Sequence, residues 1–177
     1  KKGLELKVDI DKNLPSILIG DEKRLKQVIL NLLDNAVKYT IEGSVTLSVN
    51  SEINDYNEAT MVIKVADTGI GIRKEDLAYI YDSFKRADEK KNAQILGSGL
   101  GLAITKQLVD LMHGELTVDS IYTKGTTFTA IFTQKIVDIT PIGGGNMLKK
   151  AAKESSEYKA SFEAPEARVL VVDDNRM

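Results

Sequence analysis

The sequence contains no cysteine and only one histidine among its 177 residues. The absence of cysteine excludes a disulfide scaffold, a thiolate zinc site and a cysteine nucleophile, and it favours a reducing compartment such as the cytoplasm. A single histidine excludes a metal site built from several imidazoles. No apolar run approaches the ~20 residues of a membrane-spanning helix, so we expect no direct membrane contact from this chain, whether or not a longer parent protein is membrane-anchored.

The charges of the chain nearly balance. Lys and Arg together number 24 and Asp and Glu number 26, which gives a formal net charge of −2. Binders of nucleic acid or of membrane surfaces need a large basic excess, so we expect neither partner. Apolar residues make up 42% of the sequence, which is enough for a packed core. The sequence begins at Lys1 rather than Met, which indicates a piece of a longer protein.

Hydrophobic periodicity and turn signals predict a domain over residues 1–138. Two consecutive predicted strands have no helix between them, which favours an antiparallel hairpin. The element order predicts an α+β fold, a two-layer α/β sandwich whose mixed, mostly antiparallel sheet is covered on one face by helices. The predicted strands are Leu4–Ile10, Ser44–Asn50, Met61–Ala66, Glu115–Asp119 and Thr126–Thr133, and the predicted helices are Glu22–Lys38, Lys74–Asp82 and Leu100–Met112.

The composition changes after this domain. Residues 139–167 contain three consecutive glycines and then a charged, Ala- and Ser-rich stretch, which predicts a linker. Residues 168–177 contain an apolar run, Val169–Val172, that is followed by the acidic pair Asp173 and Asp174.

The long predicted helix carries a distinctive polar face. At 100° per residue, Asn31, Asp34, Asn35 and Lys38 fall within a common arc. Amide oxygens are hard ligands that suit Mg²⁺, and a lysine is a point charge for phosphate. The alternative is the ordinary solvated face of an amphipathic helix. The apolar positions form the stripe predicted to face the sheet, namely Leu25, Val28, Ile29, Leu32, Leu33, Ala36 and Val37.

A second motif, Asp67-x-Gly69-x-Gly71, directly follows a predicted strand. Glycines at alternate positions allow positive φ and let a ligand approach the backbone closely. A carboxylate at the strand end can accept a hydrogen bond from an exocyclic amine such as that of adenine. A plain Asp-x-Gly turn is the alternative.

A third motif is glycine-rich and enters a predicted helix, whose free N–H groups form an anion site. The dinucleotide fingerprint fails because Leu102 stands where its third glycine belongs, and the Gly-Lys-Ser/Thr phosphate loop is absent. The charged stretch before it, Phe84–Asn92, predicts a mobile lid over a nucleotide, or otherwise a surface loop. The motif consists of Gly97, Ser98, Gly99, Leu100 and Gly101.

The chain resembles sensor histidine kinases in the order and spacing of four segments, which match that family's N, G1, F and G2 boxes. The segments are, in that order, Asn31–Thr40, the Asp67 motif, Phe84 and the third motif. The resemblance covers residues 1 to about 135, and Gly125–Phe128 looks like that family's last motif. It implies the Bergerat fold, which is shared with gyrase, mismatch-repair and heat-shock-chaperone ATPases. It also implies ATP and Mg²⁺ as ligands.

For the phosphate end of ATP, the resemblance implies that Asn35 coordinates Mg²⁺ with Asn31 beside it, and that Lys38 contacts the phosphates. ATPases of this superfamily that hydrolyse ATP place a Glu where Asn31 stands. An amide cannot act as a general base, which favours transfer of the phosphoryl group over hydrolysis. From the lid, Lys85 and Arg86 would stabilise charge on the transferring group.

For the purine end, the resemblance implies that Tyr39 packs on the adenine ring and that Asp67 accepts from its amino group, partly through water. Gly69 and Gly71 would make room for the ring, and Thr126 would support the same water. The rest of the implied nucleotide site, which hinges the lid and offers N–H groups to phosphate, is Gly97, Ser98, Gly99, Leu100 and Gly101.

The phosphoacceptor histidine of that family lies on a separate two-helix dimerisation domain. His113 follows the predicted helix Leu100–Met112 and precedes Gly114, which predicts a turn position rather than an acceptor. The segment Arg168–Asp174 resembles the start of a receiver domain, so the expected partners are a dimerisation/histidine-phosphotransfer domain and a receiver domain, with relay from histidine to aspartate. Two alternatives stay open: a nucleotide-binding module without phosphotransfer, such as an ATP sensor or ATP-gated clamp, and a purely structural sandwich.

Overall fold

The computed structural model describes residues 2–82 and 100–143. They belong to a compact unit, Lys1–Gly144. The predicted lid, residues 144–167 of the predicted linker and the receiver start lie outside the described residues, as do Lys85, Arg86, Gly97, Ser98 and Gly99. The elements are β1 (Glu5–Ile10), β2 (Pro15–Ile19), α1 (Glu22–Tyr39), β3 (Ser44–Ile53), β4 (Glu58–Asp67), a 3-10 helix (Leu77–Tyr79), α2 (Gly101–Leu111), β5 (Glu115–Ile121) and β6 (Gly125–Pro141).

The strands form a six-stranded mixed sheet in the order β1-β3-β4-β6-β2, with β5 also paired to β6. β1 is parallel to β3, and every other pairing among these strands is antiparallel. Strands β3 and β4 form the predicted antiparallel hairpin. Helices α1 and α2 pack on one face of the sheet, so the predicted two-layer α/β sandwich is confirmed.

The main core lies between the two helices and the sheet. Alternate residues of each strand face it, as the two-residue period of a half-buried strand requires. Burying this much aliphatic and aromatic surface is the dominant favourable contribution to folding. The buried members are Val28, Leu32, Ala36, Val45, Ile63, Val65, Val109, Leu116, Phe128, Ala130 and Phe132.

Helix α1 begins and ends at side chains that bond to its free backbone groups. The Asp21 carboxylate accepts from the Arg24 N–H at 3.0 Å, which is an N-cap. At the other end, the buried Thr40 hydroxyl donates to the Ala36 carbonyl at 2.7 Å. One position of the predicted apolar stripe is wrong: Val37 is 44% exposed, because it lies on the flank of the helix rather than over the sheet.

Several predicted boundaries are also wrong. The short helix predicted over Lys74–Asp82 is confined to the 3-10 helix Leu77–Tyr79. Strand β2 was not predicted, and its partner β6 continues to Pro141, past residue 138. A second apolar cluster lies where β6 passes β4 and the residue before β2, and it consists of Leu14, Ala59, Met61 and Ile136. In the part of the chain that the structure describes, neither helix has the length and hydropathy of a membrane span.

Candidate functional site

The carboxylate of Asp67 stands at the end of β4 and is held by two backbone donors. Its Oδ1 accepts the Gly69 N–H at 2.8 Å, and the Thr126 N–H of the neighbouring strand β6 also bonds to the carboxylate. Burial raises the pKa of Asp67 above its ordinary value, and these two hydrogen bonds lower it in part. Asp67 is therefore a desolvated carboxyl group with room to accept from a further donor.

The loop after Asp67 has no space for side chains at its glycines. A Cβ at Gly69 would overlap the Tyr39 carbonyl oxygen and lie 2.8 Å from Asp67 Oδ1. Gly71 has φ +64°, and a Cβ there would overlap the carbonyl oxygen of Ile121 in the β5–β6 turn. The two glycines let the loop pack tightly between the end of α1 and that turn, which orients Asp67.

The end of α1 contacts this loop. The Tyr39 carbonyl accepts the Ile70 N–H at 3.2 Å, and Thr40 is completely buried beneath. The ammonium of Lys38 lies 5.1 Å from the centre of the Tyr39 ring, within range of a cation–π contact. The backbone contact at Tyr39 thus holds the end of α1, which carries Lys38 and Tyr39, against the loop that follows Asp67.

The same face of α1, two turns earlier, contacts the beginning of α2. Asn31 Nδ2 donates to Thr105 Oγ1 at 3.3 Å, and Asn31 Oδ1 accepts from Gln27 at 2.7 Å. The Thr105 hydroxyl donates to the Gly101 carbonyl at 2.8 Å. Both ends of the Asn31 amide are therefore engaged, which fits a role in positioning α2 against α1.

Asn35 differs from Asn31 because its amide nitrogen is buried and unpaired. Among the described residues, Asn35 Nδ2 has no hydrogen-bond partner, and a Cβ at Gly101 would lie 3.8 Å from it. A buried polar atom without a partner costs free energy, so this amide is a candidate to bind a group that lies beyond the described residues. The first turn of α2 lies beside it, and a helix N-terminus favours an anion.

The structure thus brings together the predicted residues at two places. Asp67, Gly69, Gly71 and Thr126 converge at the end of β4, next to Lys38 and Tyr39. Asn31 and Asn35 meet the start of α2 at Leu100 and Gly101. Asp34 is exposed. Within residues 2–82 and 100–143, no three His, Asp or Glu side chains lie close enough together to hold a metal ion.

Two residues of this region were missed by sequence reasoning. Thr105 joins α2 to Asn31, and Ser120 of β5 bonds to the loop that follows Asp67. Neither lies in a glycine-rich motif. A polar residue on the inward face of an otherwise apolar element is the signal that could have found both, because a buried hydroxyl needs a partner.

His113 follows α2 with φ +55° and is exposed. This is the left-handed conformation that commonly ends a helix. The predicted turn position is confirmed.

Comparison with known proteins gives a consistent result. The family described as histidine kinase-, DNA gyrase B-, and HSP90-like ATPase matches residues 20–136. Hybrid signal transduction histidine kinase L of Dictyostelium discoideum is 43% identical over 150 residues, which cover 83% of this chain and 8% of that protein. Autoinducer 2 sensor kinase/phosphatase LuxQ of Vibrio cholerae is 41% identical over 175 residues, which cover 99% of this chain and 20% of that protein.

Among solved structures, full-length ShkA in complex with AMPPNP superposes with a TM-score of 0.64 at 31% identity. The match covers 77% of this chain and 27% of that one. The chain therefore spans only a small part of the longer proteins it matches.

Proposed function

The chain belongs to the family of histidine kinase-, DNA gyrase B- and HSP90-like ATPases, and we propose that residues 1–138 are the ATP-binding catalytic domain of a sensor histidine kinase. Its two-layer sandwich is the Bergerat fold. The observation that carries the proposal is that the buried Asp67 carboxylate can accept a further hydrogen bond while the buried Asn35 amide nitrogen has no partner among the described residues.

At the purine end, the Asp67 carboxylate accepts a hydrogen bond from the amino group of adenine. The carboxylate already holds two backbone N–H groups, so its position is set before a ligand arrives. Gly69 and Gly71 let the loop after Asp67 pack tightly and so orient the carboxylate, and Tyr39 offers an aromatic face to the ring. Thr126, whose N–H bonds to Asp67, supports a water molecule at the same carboxylate.

At the phosphate end, Asn35 holds Mg²⁺ and Lys38 contacts the phosphates. The Asn35 amide, whose buried nitrogen has no partner in the part of the chain that the structure describes, fits such a ligand, because an amide presents either its oxygen or its nitrogen after a half-turn. A bound Mg²⁺ would neutralise phosphate charge. The phosphates receive backbone N–H groups from the third motif, which consists of Gly97, Ser98, Gly99, Leu100 and Gly101. The lid residues Lys85 and Arg86 stabilise the transferring phosphoryl group.

The reaction we propose is transfer of the γ-phosphoryl group to a histidine, not to water. Hydrolysis needs a general base near the γ-phosphate. Asn31 occupies the position where hydrolysing relatives carry that base, and an amide does not take up a proton. Its amide is also engaged on both sides by Gln27 and Thr105. The acceptor imidazole therefore comes from a separate dimerisation domain.

We further propose that the parent protein is a hybrid kinase. Because β6 continues to Pro141, the linker predicted over 139–167 would begin after that strand, and 168–177 would be the start of a receiver domain, whose aspartate takes the phosphoryl group from histidine. The relative named as a hybrid signal transduction histidine kinase supports this, and the LuxQ match extends into residues 168–177. A cytoplasmic location, with any membrane anchor elsewhere in the parent, completes the proposal.

Asn35→Ala tests the phosphate end. Removing a group that orients the metal is expected to weaken Mg²⁺–ATP binding roughly 10- to 100-fold and to abolish transfer to a separately produced dimerisation domain. Calorimetry with and without Mg²⁺ measures the first effect, and radiolabelled ATP measures the second. Asn50→Ala, an exposed position of β3, is the matched control and should bind like the parent sequence.

Unchanged Mg²⁺–ATP affinity in Asn35→Ala would contradict the proposed phosphate site. Tight ATP binding by the parent sequence with no label on the dimerisation domain would instead favour a nucleotide-binding module without phosphotransfer. Stable label on His113 would overturn the assignment of the acceptor to another domain.

A further inference from the structure

Ser120 of β5 occupies a junction of three chain segments. Its Oγ accepts the Ile72 N–H at 2.8 Å. The same oxygen lies 3.0 Å from the Gly125 carbonyl oxygen and 2.9 Å from Thr126 Oγ1. A single hydroxyl thus connects the loop after β4, strand β5 and the first residues of β6.

The segments that Ser120 connects are those that supply both donors to Asp67. Gly69 belongs to the loop that bonds to Ser120 through the Ile72 N–H. Thr126 directly follows Gly125, the first residue of β6, whose carbonyl oxygen contacts Ser120. The β5–β6 turn adds one more bond, from the Thr123 N–H to the Ile70 carbonyl at 2.8 Å. Ser120 therefore fixes the distance between the two N–H groups that converge on the carboxylate.

The hydrogen atoms at this junction can be counted. Ser120 has one hydrogen to donate and already accepts from Ile72. If it donates to the Gly125 carbonyl, Thr126 Oγ1–H donates to Ser120. If it donates to Thr126 Oγ1, the Thr126 hydrogen is free for another acceptor. The hydroxyl pair can therefore present Thr126 either as an acceptor or as a donor without any backbone movement.

We propose that Ser120 is a positioning residue for purine recognition, acting through Thr126 and the Ile72 N–H to hold Asp67 in place for the purine amino group. This inference rests on the proposed ATP site. Ser120 need not touch the nucleotide. Its effect is specific to ligands that carry an amino donor, which a merely structural serine would not show.

The test compares ATP with purine ribonucleoside triphosphate, which lacks the 6-amino group. Ser120→Ala removes the acceptor of Ile72 and the partner of Thr126, so ATP affinity should fall about 5- to 20-fold, as expected for losing one or two buried hydrogen bonds. Affinity for the analogue should change less than about 2-fold. Ser120→Thr keeps the hydroxyl and should restore ATP binding. Ser48→Ala, a half-buried serine of β3 on the sheet face away from the helices, is the matched control.

A double-mutant cycle with Asp67→Asn shows whether Ser120 acts through Asp67. If it does, Ser120→Ala should cost ATP affinity little in the Asp67→Asn background. Hydrogen exchange without nucleotide gives a readout independent of binding: the Gly69 and Ile72 amides should exchange faster in Ser120→Ala than in Ser48→Ala.

Three outcomes would overturn the inference: equal losses for ATP and the analogue, additive effects in the cycle, or unchanged exchange at Gly69 and Ile72. Failure of the proposed function gives a different result, because the parent sequence would then bind neither ATP nor the analogue. That result removes the purine site and the role of Ser120 with it.

Discussion

Asp67→Asn should reverse the purine preference of the chain. The parent carboxylate can only accept, so it favours ATP, which presents an amino group, over inosine triphosphate, which presents an oxygen at the same position. The variant keeps an oxygen for the Gly69 N–H and can turn an NH₂ group toward the ligand. Charge-assisted hydrogen bonds contribute about 1.5–3 kcal/mol. The variant loses such a bond to ATP and gains a hydrogen bond to inosine triphosphate, so the ratio of ATP affinity to inosine triphosphate affinity should fall at least about 100-fold.

Calorimetric titration of both nucleotides against both proteins measures this ratio. Asp34→Asn, an exposed carboxylate of α1, is the matched control and should leave the ratio unchanged. A general loss of affinity for both nucleotides, with the ratio preserved, would show that Asp67 supports the fold of the loop but does not recognise the purine.

Gly125→Ala should strongly destabilise the domain. Gly125 has φ +121°, a conformation that L-residues rarely adopt, and a Cβ there would overlap the carbonyl oxygen of Asp67. Backbone strain of about 1–3 kcal/mol and a further 1–3 kcal/mol from overpacking are expected. The midpoint of thermal unfolding should fall by roughly 10 °C, and ATP affinity should fall as well, because the clash displaces Asp67.

Gly101→Ala is the stability control. Among the described residues its Cβ would meet only Asn35 Nδ2, at an ordinary contact distance of 3.8 Å, and alanine is the better helix former. The unfolding midpoint of that variant should stay level or rise. A Gly125→Ala protein as stable as the parent sequence would contradict the tight packing of the β5–β6 turn on the end of β4.

Much of the fold was predictable because its signals are local. The long helix α1 has a regular apolar spacing, and the strands β3 and β4 alternate over most of their length, so their types followed from periodicity. Strand β2 was missed because Pro15–Ile19 is short, begins with proline and pairs only with the distant end of β6. The five residues of β2 contain no signal for a partner strand that lies more than a hundred positions away in the sequence.

The same contrast applies to the site. Asp67, Gly69 and Gly71 lie in one short motif, and their closeness follows from the chain itself. The convergence of Thr126 on Asp67 depends on the register of β4 against β6, which pairs these two residues. The junction at Ser120 depends on three segments at once, and the engagement of Asn31 by Thr105 depends on how α2 packs on α1. Such contacts belong to tertiary packing, and sequence spacing alone does not specify them.

The most direct test of the central claim is a crystal structure of this chain with AMPPNP and Mg²⁺. We expect the purine amino nitrogen within hydrogen-bond distance of the Asp67 carboxylate, the ring beside Gly69 and Tyr39, and the metal at the Asn35 amide. A purine whose amino group points to solvent, or a triphosphate bound away from α1, would contradict the account.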